Sequence, residues 1–455
     1  CERPTCIRLF DQLLSMKSFD LIIIGSGPGG YNAAHYAAKH GLQVAIVESL
    51  KAGGTCLNIG CIPTKSLAHD AELVNEQHLT DDEKAEAFVK AMERKEGVVR
   101  QLVEGVETLL SQPGITLFHG EAAFKDAHTI SVGGEDLEGK NIIIATGSLP
   151  KMPPIPGIDS PAVISSTELL SLSQRPKSLC IVGAGVIGME FAYILHSFGC
   201  KVTVVEFLKE SLSTMDGDIA KRLRKLLEKQ GIEFYFQSGV KRIDGNKVTF
   251  ERKGKEQTVE AEKILVATGR KANIDGLQLD NTGVTADRRG IIVDDNMRTN
   301  VDHIYAIGDC NARQMLAHAA SFQGFRAVNT ILGKSDNIHL DIMPAAVFTS
   351  PEAAGVGPTE EQCKEKNTEY KTYKGFYRAN GRALSMDATE GMLKLITTPD
   401  GQLLGCHAYG AHAADMVQEV AALMNMGATV QQLADMVHIH PTLSEILQEA
   451  ARTAL

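Results

Sequence analysis

Residues 21–30 read LIIIGSGPGG and residues 179–188 read LCIVGAGVIG, so one pattern occurs twice in the chain. Each copy is a short, mostly β-branched run followed by three glycines spaced as G-x-G-x-x-G. A helical stretch follows, and then a second strand-like run that ends on an acid, Glu48 or Glu206. Each acid lies 23 residues after the first glycine of its copy (48 − 25 and 206 − 183). The repeat predicts two βαβ units.

This spacing is typical of nucleotide binding. The glycines permit a tight turn and close backbone approach, so a pyrophosphate can lie at the positive amino end of the next helix. The acid can then accept hydrogen bonds from ribose hydroxyls. One such motif is often only a glycine-rich turn, whereas two copies, each flanked by strands and closed by an acid, favour two nucleotide sites. The predicted residues are Gly25, Gly27, Gly30 and Glu48, and Gly183, Gly185, Gly188 and Glu206.

Length and composition exclude several classes of protein. A chain of 455 residues predicts about three or four domains, and 44% hydrophobic with 22% charged residues is ordinary for a globular protein. The net charge of −10 and the lack of a basic stretch argue against nucleic-acid binding. Apolar runs are strand-sized, so no membrane span is predicted. Nine scattered cysteines favour a reducing compartment, the cytoplasm or the mitochondrial matrix.

Other segments suggest how the chain is organised. Residues 1–15 lack the apolar core of a secretory signal and are set aside as an upstream extension or a targeting remnant. The proline-rich residues 150–157 predict a connector, and residues 82–110 a long solvent-facing helix or hairpin. From about residue 345 short strands and an amphipathic stretch near 413–427 predict a separate α+β module. Two strands ending in ATG, at 142–147 and 264–269, close the two nucleotide regions, and Asp309 ends a further strand where it could face a cofactor.

Two cysteines, Cys56 and Cys61, lie in the segment GGTCLNIGCIPTK at residues 53–65. In a regular helix five residues rise about 7.5 Å, beyond the ~7 Å Cα separation that a disulfide allows, so a bridge requires an irregular backbone. Gly60 supplies such a position, and Pro63 suits the first turn of a helix beginning just after Cys61. A helix amino end lowers thiol pKa values and favours reactive thiolates. The alternative is two buried thiols; a metal site is not predicted, because no second cysteine or histidine pair has ligand spacing.

Near the carboxyl end, HIHPTLSE at residues 438–445 supplies His438, His440 and Glu445. Dithiol oxidation releases protons near neutral pH, where imidazole titrates, and a carboxylate can fix the histidine's tautomer. A histidine near a glutamate is more often structural, but the cysteine pair supplies the chemistry that would need it.

Several of these motifs together resemble the pyridine nucleotide-disulfide oxidoreductases and, within them, the dihydrolipoamide dehydrogenases. They are GGTCLNIGCIPTK, GAGVIGME at 183–190, IYAIGD at 304–309 with MLAH at 315–318, and HIHPTLSE. The resemblance runs from Met16 to the carboxyl terminus. It implies an α/β fold with two Rossmann-like nucleotide-binding domains plus an α+β carboxyl-terminal dimerisation domain. The implied divisions are an extension at 1–15, an FAD-binding domain at 16–150, an NAD-binding domain at 151–270, a central domain completing the FAD site at 271–344, and an interface domain at 345–455.

The resemblance also implies roles for individual residues. Cys56 would exchange with substrate, Cys61 would contact the flavin, and His440, oriented by Glu445, would be the base acting on the partner chain's cysteines in a homodimer. Lys65 would lie near the flavin, paired with Glu190, while His438 would be structural. The remaining FAD residues would be Gly120, Thr146, Gly147, Ser148, Asp309, Met315, Leu316, Ala317 and His318, and Val240 and Gly269 would line the NAD site.

The implied reaction is reoxidation of protein-bound dihydrolipoyl groups through the Cys56–Cys61 disulfide and FAD to NAD. The carriers would be a lipoyl-bearing acyltransferase or carrier protein of a 2-oxoacid dehydrogenase or glycine cleavage complex. Glu206 favours the unphosphorylated ribose of NAD, because Phe207, Leu208 and Lys209 include no arginine for a 2′-phosphate. This disfavours glutathione-type reductases, and the tail EAARTAL lacks the cysteine pair of mercuric reductase.

Two alternatives stay open: another FAD disulfide reductase, or a flavin-bearing structural subunit of a large complex. Two departures from the family pattern concern the flavin environment. Cys310 follows the GD motif, and SFQG at 321–324 is less acidic than expected.

Overall fold

The computed structural model describes residues 16–455, so the prediction for residues 1–15 lies outside the described residues. Within that range the chain forms two compact units. The first unit comprises residues 16–62, 97–149 and 270–338. The second comprises residues 63–96, 150–269 and 339–455.

The first unit is built on a seven-stranded sheet. Its parallel part runs in the order Ile115–His119, Val44–Glu48, Lys17–Ile24, Glu135–Ile144 and Ile304–Ala306. The last four residues of Lys17–Ile24 and all of Val44–Glu48 are buried, as expected for strands covered on both faces. An antiparallel extension, Thr129–Val132 and Ala122–Phe124, continues from the first half of the long strand.

Helices and short elements complete the first unit. Helices Pro28–Lys39 and Ala317–Ile331 pack together; the first follows the glycine turn at residues 25–27, and the second follows the 3-10 turn that contains Asp309. Isoleucines of the sheet form the centre of the core with Phe124, Leu277 and Cys310. The remaining elements are helix Gly54–Ile59, strands Ser148–Pro150 and Arg270–Ala272, and the 3-10 turns Leu279–Asn281 and Gly308–Asn311. Helices Cys61–Asn75 and Asp81–Leu110 are divided between the units.

The second unit contains a parallel sheet in which four strands have the same order as in the first, while the fifth, Val163–Ile164, precedes the others in the chain. Its strands run Glu233–Tyr235, Lys201–Val205, Ser178–Val182, Lys263–Val266 and Val163–Ile164. Helix Val186–Ser197 follows the glycine turn and is almost entirely buried. Helix Gly217–Gln230 begins at Asp216, whose carboxylate accepts the Asp218 N–H, and ends at left-handed Gly231. The two repeats in the sequence are therefore two copies of one fold.

Two antiparallel sheets complete the second unit. One is the meander Ser238–Asp244, Lys247–Arg252 and Lys255–Glu260. The other runs Ala345–Val347, Glu352–Val356, Leu403–Gly410, Met392–Thr397 and Lys371–Phe376. The helices of this unit not yet named are Ser166–Leu169, Glu360–Glu365, Gly381–Ser385, Ala413–Asn425, Val430–Asp435 and Glu445–Arg452, with a 3-10 turn at Tyr377–Ala379.

The predicted fold class is confirmed: two Rossmann-like sheets are accompanied by a carboxyl-terminal α+β module. Residues 82–110 form one helix, Asp81–Leu110, rather than a hairpin, and its residues Phe88, Ala91 and Met92 are buried. The five predicted divisions of the chain stay predictions. Among residues 16–455 no helix combines the length and apolar character that a membrane span needs.

Candidate active site

The two glycine turns have the shape that a dinucleotide requires. A Cβ built on Gly30 would lie 1.9 Å from the Gly25 oxygen, and one on Gly188 would lie 2.1 Å from the Gly183 oxygen. A side chain at either position would therefore push the helix off its turn. The middle glycines differ, because a Cβ on Gly27 or Gly185 would meet nothing within 4 Å. Each turn thus opens to a ligand at the residue that precedes its helix, so both fit a pyrophosphate.

The two acids after the second strands occupy equivalent positions. Glu48 Oε2 accepts from the backbone N–H of Ser26 at 3.0 Å, and Glu206 Oε2 accepts from that of Ala184 at 2.6 Å. Their other oxygens accept from N–H groups two residues further on, at 2.9 and 2.7 Å. The acids therefore brace the glycine turns in addition to the predicted ribose contact, and their remaining lone pairs stay available to hydroxyls.

The predicted flavin residues lie in the first unit at the carboxyl ends of its strands. Gly120 follows Ile115–His119, and Asp309 lies in the 3-10 turn after Ile304–Ala306. Ser148 Oγ donates to Asp309 Oδ2. Thr146 and Gly147 form the turn before Ser148, and both of their carbonyls accept from Asn273. Residues 315–318 form the amino end of helix Ala317–Ile331, whose N-cap is Leu316.

Two residues that sequence reasoning missed hold this turn region. Gln323 is buried, and its Oε1 accepts from the Gly308 N–H at 2.7 Å and from Asn311 Nδ2 at 2.9 Å. The neutral SFQG segment thus supports the turn that carries Asp309. Arg270 donates to Ser148 through Nε and Nη2, each at 2.6 Å. Its position directly after the second ATG was the signal available in the sequence.

Cys310 does not belong to the reactive groups. Its side chain is fully buried, and its thiol donates to the carbonyls of Ile144 and Ile307 at 3.3 and 3.2 Å. Burial raises the pKa of Cys310 to about 12, so it stays a neutral thiol of the core.

The second unit contains the predicted NAD residues and the predicted ion pair of Lys65 with Glu190. Val240 lies in strand Ser238–Asp244 and Gly269 follows strand Lys263–Val266, at the carboxyl side of the parallel sheet. Lys65 Nζ donates to both oxygens of Glu190 at 2.8 Å. Glu190 also accepts from the Phe348 N–H at 3.0 Å and is almost fully buried. The pairing of Lys65 with Glu190 is present, whereas the role of the pair stays a prediction.

The cysteine pair lies on a broken helix against the first glycine turn. Cys56 belongs to helix Gly54–Ile59 and Cys61 begins helix Cys61–Asn75, with Gly60 between them. A Cβ on Gly60 would lie 2.9 Å from the Thr55 oxygen and 3.3 Å from the Cys56 Cα, so the chain folds back onto Cys56. A Cβ on Gly54 would lie 2.7 Å from the Gly27 Cα. The segment carrying the cysteines therefore contacts the turn predicted to hold the flavin nucleotide.

The predicted base and its orienting group form a hydrogen-bonded pair in the second unit. His440 Nδ1 lies 2.9 Å from Glu445 Oε1, and the imidazole is 81% exposed, so it is accessible to a partner. Two hydrogen bonds lower the pKa of Glu445: the larger effect comes from the Thr442 N–H and the second from His440. A carboxylate can only accept, so Nδ1 carries the proton and Nε2 is left as the basic nitrogen. His438 is largely buried and bonds Glu419 at 2.9 Å, as expected of a structural histidine.

Among residues 16–455 no cluster of three or more histidine, cysteine or acidic side chains could hold a metal ion. The candidate groups are one nucleotide turn with the cysteine pair in the first unit, and one nucleotide turn and the histidine–carboxylate pair in the second.

Comparison with known proteins agrees with this composition. Residues 19–324 match the model of the pyridine nucleotide-disulphide oxidoreductases, and residues 343–451 match the dimerisation domain of the same family. The mitochondrial dihydrolipoyl dehydrogenase of Pisum sativum is 40% identical over 95% of this chain and 90% of its own. The dihydrolipoyl dehydrogenase of Corynebacterium glutamicum is 39% identical over 96% of this chain and 97% of its own.

A solved structure is similar as well. The HOCl-induced flavoprotein disulfide reductase RclA from Escherichia coli has a TM-score of 0.85 and 33% identity, and the match covers 95% of this chain and 99% of that one. Since the family models span nearly all described residues and relatives match over nearly the full length, the chain belongs to the pyridine nucleotide-disulphide oxidoreductases, which use FAD and NAD(P) as redox cofactors.

Proposed function

We propose that the protein reoxidises protein-bound dihydrolipoyl groups with NAD as the final acceptor. The reaction converts a dihydrolipoyl dithiol and NAD⁺ into a lipoyl disulfide, NADH and one proton. The full-length similarity to dihydrolipoyl dehydrogenases supports the substrate class. We infer the lipoyl carrier to be an acyltransferase or carrier protein of a 2-oxoacid dehydrogenase or glycine cleavage complex.

One observation carries the proposal: the broken helix with Cys56 and Cys61 contacts the first glycine turn through Gly54. A nucleotide held by that turn and a redox-active cysteine pair then belong to one site. Bound FAD would supply the two-electron acceptor for a dithiol and the hydride chemistry that NAD reduction requires. Residues of the first unit would hold FAD, and the Gly183–Gly188 turn with Glu206 would hold NAD.

The chain's own groups account for the first half of the reaction. A substrate thiolate attacks the Cys56 sulfur, the bond between Cys56 and Cys61 breaks, and its electron pair stays on Cys61 as a thiolate. The sulfur of the second substrate thiol then displaces Cys56, which leaves as a thiol with that group's proton, and the substrate disulfide closes. His440 takes the proton that the substrate releases, and ionised Glu445 stabilises the imidazolium that forms.

A homodimer fits both the matched dimerisation domain and the surface of the second unit. Val437 and Ile439, which flank His438 just before His440, are 98% and 79% exposed, and Met426 in the same unit is 83% exposed; exposed apolar side chains of this size are typical of an interaction surface. We infer that a second copy covers this surface and that His440 serves the partner chain's cysteines. The proposed compartment is the cytoplasm, or the mitochondrial matrix in a eukaryote.

Replacing Cys61 by serine tests the proposal. The variant cannot form the disulfide, so turnover of dihydrolipoamide with NAD should fall at least about a thousandfold. The long-wavelength absorbance that a thiolate gives beside a flavin should also disappear. The matched control is Cys363→Ser, since Cys363 is buried in the carboxyl-terminal module away from these motifs. Retention of both signals in the Cys61 variant would exclude the proposed cycle.

Substrate choice is tested by comparing two assays on the purified dimer. Dihydrolipoamide with NAD should be turned over much faster than glutathione disulfide with NADPH. The reverse ranking would identify another disulfide reductase on this scaffold, and no turnover with either pair would favour a structural subunit.

A further inference from the structure

The loop that follows Glu206, residues 207–212, is fastened at both ends to the second glycine turn. Glu206 Oε2 accepts from the Ala184 N–H at 2.6 Å, and the Leu212 N–H donates to the Ala184 carbonyl at 2.9 Å. Between these ends, Glu206 Oε1 accepts from the Leu208 N–H at 2.7 Å. The direction of the carboxylate that is predicted to contact the NAD ribose therefore depends on the conformation of this loop.

A second segment, residues 236–238, supports the loop. The Gln237 N–H donates to the Leu208 carbonyl at 2.9 Å. Gln237 and Leu212 both have a left-handed backbone, with φ of 53° and 49°. Glutamine and leucine seldom adopt this conformation unless surrounding contacts fix it. The loop and the second segment therefore depend on the contacts that hold them.

Arg224 contacts both of these segments from helix Gly217–Gln230. Its Nε and Nη2 donate to the two oxygens of Glu210, in the loop, at 3.1 and 3.0 Å. Its guanidinium carbon lies 5.3 Å from the centre of the Phe236 ring, in the second segment, and Nη1 donates to Glu228 of its own helix at 2.7 Å. Arg224 is 15% exposed and Glu210 21%, so this bidentate pair is largely shielded from water. A planar fork of this kind fixes direction as well as distance.

We propose that Arg224 is a positioning residue of the NAD site, which clamps Glu210 so that the loop holds the Glu206 carboxylate at the nucleotide ribose. The inference deepens the proposed function, because it concerns the same NAD site and rests on it. All the contacts that carry it lie within the second unit. Arg224 acts through the loop, so its loss should weaken nucleotide binding and leave the chemistry of the cysteine pair unchanged.

The first test measures binding of ADP-ribose to the oxidised full-length holoprotein by calorimetry. ADP-ribose carries the pyrophosphate and the adenosine ribose of NAD but cannot accept a hydride. In Arg224→Met the Kd should rise about five- to tenfold, as expected if only about a tenth to a fifth of the molecules keep the binding-competent loop. The matched control is Lys225→Met, which removes an exposed cation from the same helix and should leave the Kd unchanged. An unchanged Kd in Arg224→Met would overturn the proposal.

A second ligand, 2′-deoxy-ADP-ribose, shows whether the effect passes through Glu206. Wild type should bind ADP-ribose about tenfold more tightly than the deoxy compound, because a carboxylate that accepts from the ribose hydroxyl loses this hydrogen bond. In Arg224→Met the ratio should narrow to about two- or threefold, since the carboxylate is no longer held in place. A ratio as large as that of wild type would contradict the link to Glu206.

Two further variants decide the question if Arg224→Met folds poorly. Arg224→Lys keeps the charge without the planar fork, so its Kd should lie between those of wild type and Arg224→Met. Glu210→Gln removes the other partner and should raise the Kd as much as Arg224→Met does. Combining Glu210→Gln with Arg224→Lys should add little further loss, because the clamp is already broken. Additive losses would mean that Arg224 does not act through Glu210.

Kinetics separate positioning from general damage to the enzyme. In Arg224→Met the KM for NAD should rise, while kcat and the rate of flavin reduction by dihydrolipoamide without NAD should stay within about twofold of wild type. A fall in the flavin-reduction rate as large as the change in KM would overturn the positioning role. If dihydrolipoamide does not reduce the flavin of wild type, the proposed function fails, and the ADP-ribose affinities still decide the role of Arg224.

Discussion

At the scale of single residues, Glu206 combines two tasks. Its carboxylate accepts from the N–H groups of Ala184 and Leu208, which braces the glycine turn, and the same carboxylate is the group predicted to contact a nucleotide ribose. Glu48 makes the equivalent contacts in the first unit. A carboxylate at this position would repel a 2′-phosphate, so we predict that the residue that shapes the turn also selects NAD.

Cofactor preference should therefore change when this charge is replaced. In Glu206→Ala with Lys209→Arg, the ratio of kcat/KM for NADP over NAD should rise at least about tenfold, since a charge-assisted hydrogen bond contributes roughly 1.5–3 kcal/mol. Lys209→Arg alone is the control and should keep the preference, because Glu206 remains. An unchanged ratio in the double variant would mean that Glu206 does not contact the ribose.

At the scale of elements, the break between two helices decides the cysteine geometry. A continuous helix would separate Cys56 from Cys61 along its axis, whereas Gly60 ends one helix and lets the next begin at Cys61. The close approach of Gly60 to the Thr55 oxygen leaves no room for a side chain. Only glycine fits at position 60 without displacing the backbone. The proposed function of the segment requires the sulfurs of Cys56 and Cys61 to come within bonding distance.

Gly60→Ala should disturb this break. The added methyl must displace backbone, which costs about 1–3 kcal/mol of unfolding free energy, and should slow oxidation of the reduced cysteine pair. Gly105→Ala is the matched control. Gly105 is exposed in helix Asp81–Leu110 with nothing within 4 Å of its built Cβ, so alanine there should be neutral or stabilise by about 0.5–1 kcal/mol. Equal unfolding free energies and oxidation rates for the two variants would contradict this explanation.

At the scale of the molecule, the second unit joins its parallel sheet to the carboxyl-terminal module through one buried charge cluster. Lys394, 1% exposed, lies on strand Met392–Thr397 and contacts Asp216 at 2.7 Å and Glu360 at 2.5 Å. Burial disfavours its charge, but the hydrogen bonds to these two carboxylates outweigh it and raise the pKa of Lys394. Asp216 is fully buried, so its negative charge needs the positive charge of Lys394 beside it.

Lys394→Met should be strongly destabilising. Removing one partner leaves the Asp216 carboxylate buried without its cation, which costs about 3–5 kcal/mol. Denaturant unfolding measures this loss. The control is Lys364→Met, since Lys364 is 66% exposed and lies 3.9 Å from the same Glu360, and it should leave the stability nearly unchanged because water screens an exposed ion pair. Equal losses in the two variants would show that the cluster is not the source of stability.

The sequence by itself determined the two nucleotide folds and the cysteine pair. Glycine spacing, β-branched runs and terminal acids are local constraints, and each follows from backbone sterics within about 30 residues of chain. The long motifs also indicated the family, and they predicted that His440 pairs with Glu445. The same reasoning could not choose between helix and hairpin for residues 82–110, because their mixed charge pattern fits both.

Only the tertiary structure decided which distant groups meet. Arg270 reaches Ser148 across 122 positions of sequence, and Gln323 supports the Gly308 turn from the next helix. Cys310 proved to be a core thiol because strand Glu135–Ile144 covers it. These contacts depend on sheet order and on the desolvation that packing imposes, and neither quantity is contained in the spacing of residues along the chain.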